Sequence, residues 1–313
     1  MSDMSAQSWI NDAPVGEPRE AWQARIAAIQ AEDGFFKALG TSHSALYVRR
    51  GQTLIVSFEN LHDVYRHGEN RLPWGLGKDQ PTDWSVLGVM AHAPTWYRDP
   101  AVLDFFDQLK NDGFFDQFDQ IIFYGVSMGA YAACAFSSAA PGATVIAISP
   151  QATLDPDLTA WESRFDAGRR WDYSARYGYA PDMLAEAEQA YLFYDPTLAQ
   201  DAMHMVLFQG ANLTKLKCRY MGPLIPTYWQ EMQIHNAVIE RCVDQNLPIA
   251  TFYAMLRARH ASSRYQKEIL ERLLALENHP LVVRYCNGVL ARRRGPAFRR
   301  ELNNSLRILG RSE

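Results

Sequence analysis

Residues 120–136 read QIIFYGVSMGAYAACAF. Gln120 to Tyr124 is an apolar, β-branched and aromatic run of the kind that forms a buried strand. Ala130, Ala132 and Ala133 suit a helix that packs closely on a sheet. Between the two runs stands Gly125-Val126-Ser127-Met128-Gly129, a G-x-S-x-G. A sharp strand-to-helix turn there would hold the serine hydroxyl clear of the sheet, and the glycines give room where side chains would clash. A plain Gly/Ser turn in a βα unit would carry the same residues, so the surrounding chain has to decide.

Outward from this stretch, apolar runs alternate with helical patterns. Strands are predicted at 45–49 and 53–58 around a turn at Arg50-Gly51-Gln52, then at 85–90, 120–124, 144–149, 190–194 and 214–220. Helices are predicted from Pro18 to about Ala31, and at about 100–111, 129–139 and 197–208. TLIVSF is a near-continuous apolar run, as in a strand buried on both faces. The alternation predicts βαβ units, hence an α/β fold with a mainly parallel sheet flanked by helices. Residues 151–187 break the rhythm with Trp161, Phe165, Trp171, Tyr173, Tyr177 and Tyr179 among Arg164, Arg169, Arg170 and Arg176. They read as a cap insertion, whose aromatics and arginines suit either a sugar or anionic ligand or a small packed core of their own. The pattern beyond 226 is helical. The expected organisation is a leader and helix over 1–40 (the leader being 1–16), a core over 41–225, and a helical region over 226–313.

The chain has 313 residues, enough for one large α/β domain or two small ones. Its net charge of −4 gives no general case for nucleic acid. From Arg284 onward, eight arginines face only Glu301 and Glu313, a basic tail that is either a solvated helix or a contact for an acidic partner. Cys134, Cys218, Cys242 and Cys286 are widely separated and show no disulfide framework or zinc spacing. No stretch approaches a membrane span, and the N-terminus lacks the pattern of a signal peptide. A cytoplasmic protein is the expectation. Neither a nucleotide-binding loop nor another cofactor motif is present, so no cofactor is expected.

With strand, G-x-S-x-G and helix in that order, the chain resembles the α/β-hydrolases over roughly residues 45–225. The resemblance implies a Ser-acid-His order, each residue on a loop at the C-terminal end of a strand. Ser127 would be the nucleophile. Asp195, directly after AYLFY, falls where the family places the acid; its competing reading is an N-cap for the helix that follows. The histidine would stand just after the next strand, where TKLKCRY leads into Met221-Gly222-Pro223-Leu224, and there the position holds Pro223. Proline cannot take a proton, and a serine without an adjacent base is a poor nucleophile. Of the eight histidines, His62 and His92 follow strands and are the candidate substitutes. His204 lies about two turns into the helix after Asp195, expected to be below the rim. The oxyanion hole would use the backbone N–H of Met128 and one near Glu59-Asn60.

The reading is a serine hydrolase of esterase or deacylase type that acts on a small-molecule ester or an acylated glycan. The alternative is an impaired α/β-hydrolase fold that serves as a binding or accessory subunit.

Overall fold

The computed structural model describes residues 18–27, 34–67, 72–77 and 80–310. The leader expected over 1–16, and the end of the first expected helix at 28–31, lie outside the described residues. The apolar runs form one eight-stranded sheet: β1 (Gly34–Leu39), β2 (His43–Val48), β3 (Thr53–Asn60), β4 (Trp84–Ala91), β5 (Gln120–Val126), β6 (Thr144–Ile148), β7 (Gln189–Tyr194) and β8 (Leu213–Lys217). In space the order is β1-β2-β4-β3-β5-β6-β7-β8. β2 runs antiparallel to both of its neighbours, and the pairs from β4 across to β8 are parallel. The edge strand β1 is absent from the sequence reading. Its GFFKAL is only partly covered, so it carries neither a buried run nor a clean alternation.

Helix α1 (Arg19–Ala27) precedes the sheet, and α2 (Leu61–His67), α3 (Pro100–Asn111), α4 (Met128–Phe136) and α5 (Ala199–Leu207) connect its strands. α3 starts where its residues dictate: Asp99 accepts the Ala101 N–H and Pro100 occupies the first turn. Its Phe106 stacks on Phe136 of α4 with ring centroids 4.3 Å apart, and Phe58 of β3 lies 5.6 Å from each. This aromatic stack sits in the main core, directly behind the turn that follows β5. The small residues Ala130, Ala132 and Ala133 are fully buried there.

Residues 151–187 contain no strand. Most of their arginines hold the segment together. Arg169 donates to the carbonyls of Thr159 and Glu162, and Arg176 pairs with Asp104 and Asp107 of α3. Buried Arg98, from the loop after β4, donates to the carbonyls of Asp172 and Arg176. The aromatic and basic pattern is therefore largely spent on the insertion's own packing.

The chain divides into two compact units, Met1–Cys218 with Ile239–Leu247, and Arg219–Val238 with Pro248–Glu313. The second comprises α6 (Ile225–Glu231), the start of α7 (His235–Val243), α8 (Ile249–Met255), α9 (Ser263–Ala275), α10 (His279–Leu290) and α11 (Pro296–Ile308). Leu270, Val282, Cys286, Val289, Phe298 and Leu302 form its own core. Ser262 and Asn278 cap α9 and α10. Arg284, Arg292, Arg294, Arg299 and Arg300 are exposed on this unit. All four cysteines are buried free thiols. Among the described residues no helix is long and apolar enough to cross a membrane.

Candidate active site

Ser127 occupies the turn between β5 and α4 with φ 54° and ψ −119°. That backbone is costly for a residue with a side chain and persists only where the surroundings enforce it. Here they do. The Ser127 N–H donates to the Ile148 carbonyl at 2.8 Å, and the Ser127 carbonyl accepts from Ala130 at 2.8 Å and Tyr131 at 3.0 Å. A Cβ on Gly125 would lie 2.1 Å from the Gly129 carbonyl oxygen, and one on Gly129 would lie 2.2 Å from that of Phe58. Both glycines of the motif are thus demanded by backbone approaching backbone.

The sheet order explains why this turn borders a cavity. From β3 the chain steps to β4 on one side, then crosses to β5 on the other and continues outward to β6. Connections leaving in opposite directions open a crevice beyond the carboxyl ends of the two central strands. A cavity of about 640 Å³ lies there, bordered by Phe58, Glu59 and Asn60 of β3, Asp63 of α2, Tyr124 and Val126 of β5, and Ser127 to Gly129. Trp74, Pro94, Trp96, Tyr97 and the stretch Arg164 to Gly168 also line it. Trp96 and Tyr97 both have positive φ, 54° and 55°, and the Trp96 N–H points at the Met128 sulfur at 3.2 Å.

Six aromatic side chains line the walls, and among the described residues the charged groups are Glu59, Asp63, Asp166 and Arg164. Arg164 is already committed, at 2.6 Å from both Glu162 and Asp201. Glu162 in turn lies 3.1 Å from Nε2 of His204, whose Nδ1 accepts the Ala152 N–H at 3.2 Å. That acceptor role places the proton on Nε2. Burial drives the His204 pKa down to about 4, against the opposing pull of Glu162. Buried His204 therefore acts as a neutral strut beneath the insertion.

Glu59 is held differently. Its Oε1 accepts from Ser57 Oγ at 2.8 Å and from the Trp74 N–H at 2.9 Å. Burial, with a lesser push from Asp63, raises its pKa to about 7 despite those two donors. Tyr97 donates its phenolic hydroxyl to the Glu59 carbonyl at 2.8 Å, and Trp74 stacks on Tyr124 at 4.3 Å.

Of the residues singled out from the sequence, Ser127, Met128 and Asn60 meet at this cavity. The Asn60 side chain accepts the His62 N–H at 2.8 Å and so starts α2. His62 is exposed and does not border the cavity. His92 lies 3.1 Å from Ser44 Oγ and borders a separate apolar cavity with Trp22, Ile26 and Leu61. Among the described residues no histidine lines the Ser127 cavity. His62→Ala and His92→Ala are accordingly expected to leave the rate at which Ser127 reacts with a fluorophosphonate unchanged, as measured by labelling.

Asp195 stands at the carboxyl end of β7, fully buried. Its Oδ1 accepts from the N–H and hydroxyl of Thr197 at 2.9 and 2.7 Å. The side chain closes a local turn, and the N-cap of α5 is Leu198. Pro223 lies in a single 3₁₀ turn, Gly222–Leu224, of the second unit.

Sequence reasoning missed Glu59 as a side chain. The signal was available: an apolar strand closing on Ser57-Phe58-Glu59, with serine and glutamate two apart on one face.

No family model and no curated protein matches the chain. Solved structures similar to it include a hormone-sensitive lipase from a metagenome library, at 15% identity and TM-score 0.43, covering 79% of this chain and 94% of that one. An esterase from Pyrobaculum calidifontis has 12% identity and TM-score 0.41 over 74% and 89%. The capsule O-acetyltransferase of Neisseria meningitidis serogroup A has 10% identity and TM-score 0.39 over 66% and 93%. The architecture rests on the sheet order, the strained turn and the crevice themselves.

Proposed function

Taking the chain as an α/β-hydrolase by fold, we propose that it is a serine hydrolase of esterase or deacylase type with Ser127 as nucleophile. The observation that carries the reading is the enforced backbone of Ser127 at the mouth of an aromatic-walled cavity. In this mechanism Ser127 Oγ attacks the carbonyl carbon of an ester, the alcohol departs, and water hydrolyses the resulting acyl-enzyme. The backbone N–H of Met128, at the start of α4, and one near Asn60 would receive the oxyanion. Asp195 is the family's acid position and supports the turn after β7. Among the described residues the one cationic side chain in the cavity, Arg164, is already paired with two carboxylates, which favours an uncharged substrate: a small ester, or an acetylated sugar whose ring lies against Trp74, Trp96 or Tyr124.

The test is covalent labelling with a fluorophosphonate, with the modified peptide mapped by mass spectrometry. Ser127 is expected to carry the label, and Ser127→Ala to lose both label and ester turnover. Labelling elsewhere, or turnover that survives Ser127→Ala, would remove the assignment.

The second reading is an accessory subunit on the same fold, favoured by the lack of a histidine along this cavity among the described residues. The exposed arginines of the second unit would then offer a surface to an acidic partner. A folded wild-type protein that never labels would support it.

A further inference from the structure

We propose that the carboxylate of Glu59 is the base that takes the Ser127 proton. The assignment rests on the nucleophile reading above and adds to it the group that the sequence leaves out.

Phe58 of β3 pairs with Gly125 of β5, so Glu59 stands level with Val126, one residue short of Ser127. Glu59 and Ser127 border the same cavity. Both donors that fix the side chain, Ser57 Oγ and the Trp74 N–H, address Oε1. Oε2 has no hydrogen-bond partner among the described residues, so the carboxylate is oriented by one oxygen and available through the other. The other cavity carboxylates among the described residues, Asp63 and Asp166, are solvent-exposed and lack such an anchor there.

The environment suits the task. Facing Glu59 are Asp63 from α2, the phenols of Tyr97 and Tyr124, and, farther round the wall, Arg164 and Asp166. Burial and the Asp63 charge hold its pKa at about 7, where a carboxylate is a far better base than at its ordinary value and is still about half ionised at neutral pH.

The steps balance. Glu59 Oε2 accepts the proton of Ser127 Oγ–H as Oγ bonds to the acyl carbon. The tetrahedral adduct expels the alcohol oxygen, which takes the proton from Glu59. Water then gives its proton to Glu59, its oxygen bonds to the acyl carbon, and Ser127 leaves with the proton returned.

The experiment is the rate of Ser127 labelling by a fluorophosphonate across pH 5 to 9, on the full chain. The wild type is expected to rise with a midpoint near 7. Glu59→Gln keeps an oxygen for both donors and is expected to slow labelling by roughly 100-fold and remove the rise. Ser57→Ala removes a donor that favours the ionised form, so its midpoint should move upward; this readout holds even if Glu59→Gln proves unstable. Labelling of Glu59→Gln at the wild-type rate and profile would overturn the assignment and leave the nucleophile standing. A wild type that never labels removes the nucleophile and the base together.

Discussion

Gly125→Ala is expected to destabilise the protein by about 3 kcal/mol or more and to abolish labelling of Ser127. A methyl group at this position meets the Gly129 carbonyl oxygen at 2.1 Å, its carbon at 2.2 Å and the Ala130 nitrogen at 2.7 Å. All three are backbone atoms of the first turn of α4, which cannot rotate aside as a side chain would. The helix must shift, and its face is the small-residue surface packed on the sheet beside the Phe58, Phe106 and Phe136 stack. The same displacement moves Ser127. Gly129→Ala, pressed against the Phe58 carbonyl at 2.2 Å, should act alike. Gly288→Ala in α10 is the control: nothing lies within 4 Å of its added methyl, and it should stabilise by about 0.5–1 kcal/mol. Urea midpoints at unchanged m-value measure all three.

These glycines show what the sequence carried well. Features set by local sterics and by period were legible: the strand-turn-helix around Ser127, the span 100–111 of α3 with its Asp-Pro start, and the strand runs to within a few residues. β8 was read long because Cys218 and Tyr220 are apolar or aromatic and flank only one charged residue, Arg219, yet Tyr220 has φ 65° and the strand ends at Lys217. What the sequence hid depends on which face a side chain takes and on which strands become neighbours. His62 and His92 both follow strands, as read. His92, however, follows β4, on the far side of β3 from β5, and turns to Ser44 of β2. The anchored carboxylate that borders the same cavity as Ser127 comes from β3, a neighbour fixed only by the crossover. The sequence left the insertion's arginines open between a ligand and the segment's own packing because their partners, Asp104, Asp107 and the carbonyl oxygens, are distant in sequence or featureless in it.

Acidification is expected to weaken the fold between pH 6.5 and 4, and the sign follows from two buried histidines and the cavity carboxylate Glu59. His43 and His204 are each fully buried with pKa values lowered to about 4, chiefly by burial. The unfolded chain binds protons at these sites below about 6.5 while the folded one does not, so their stabilisation is complete above 6.5 and is lost as pH falls towards 4. At 1.36 kcal/mol per unit, each contributes on the order of 3 kcal/mol. Glu59 works against them. Raised from 4.5 to about 7, it stabilises the protonated folded state, and that contribution is present below 4.5 and lost as pH rises to 7. Because Glu59 borders the cavity, its share is smaller than that of either histidine. The wild type should therefore lose on the order of 3 kcal/mol between pH 7 and 4, as measured by urea unfolding. His204→Gln, which can still accept from Ala152 and donate to Glu162, should flatten the decline. Glu59→Gln should steepen it, since the opposing carboxyl is gone. An unchanged slope in Glu59→Gln would mean that Glu59 ionises like a surface carboxylate, and would count against its role as base without reference to any substrate.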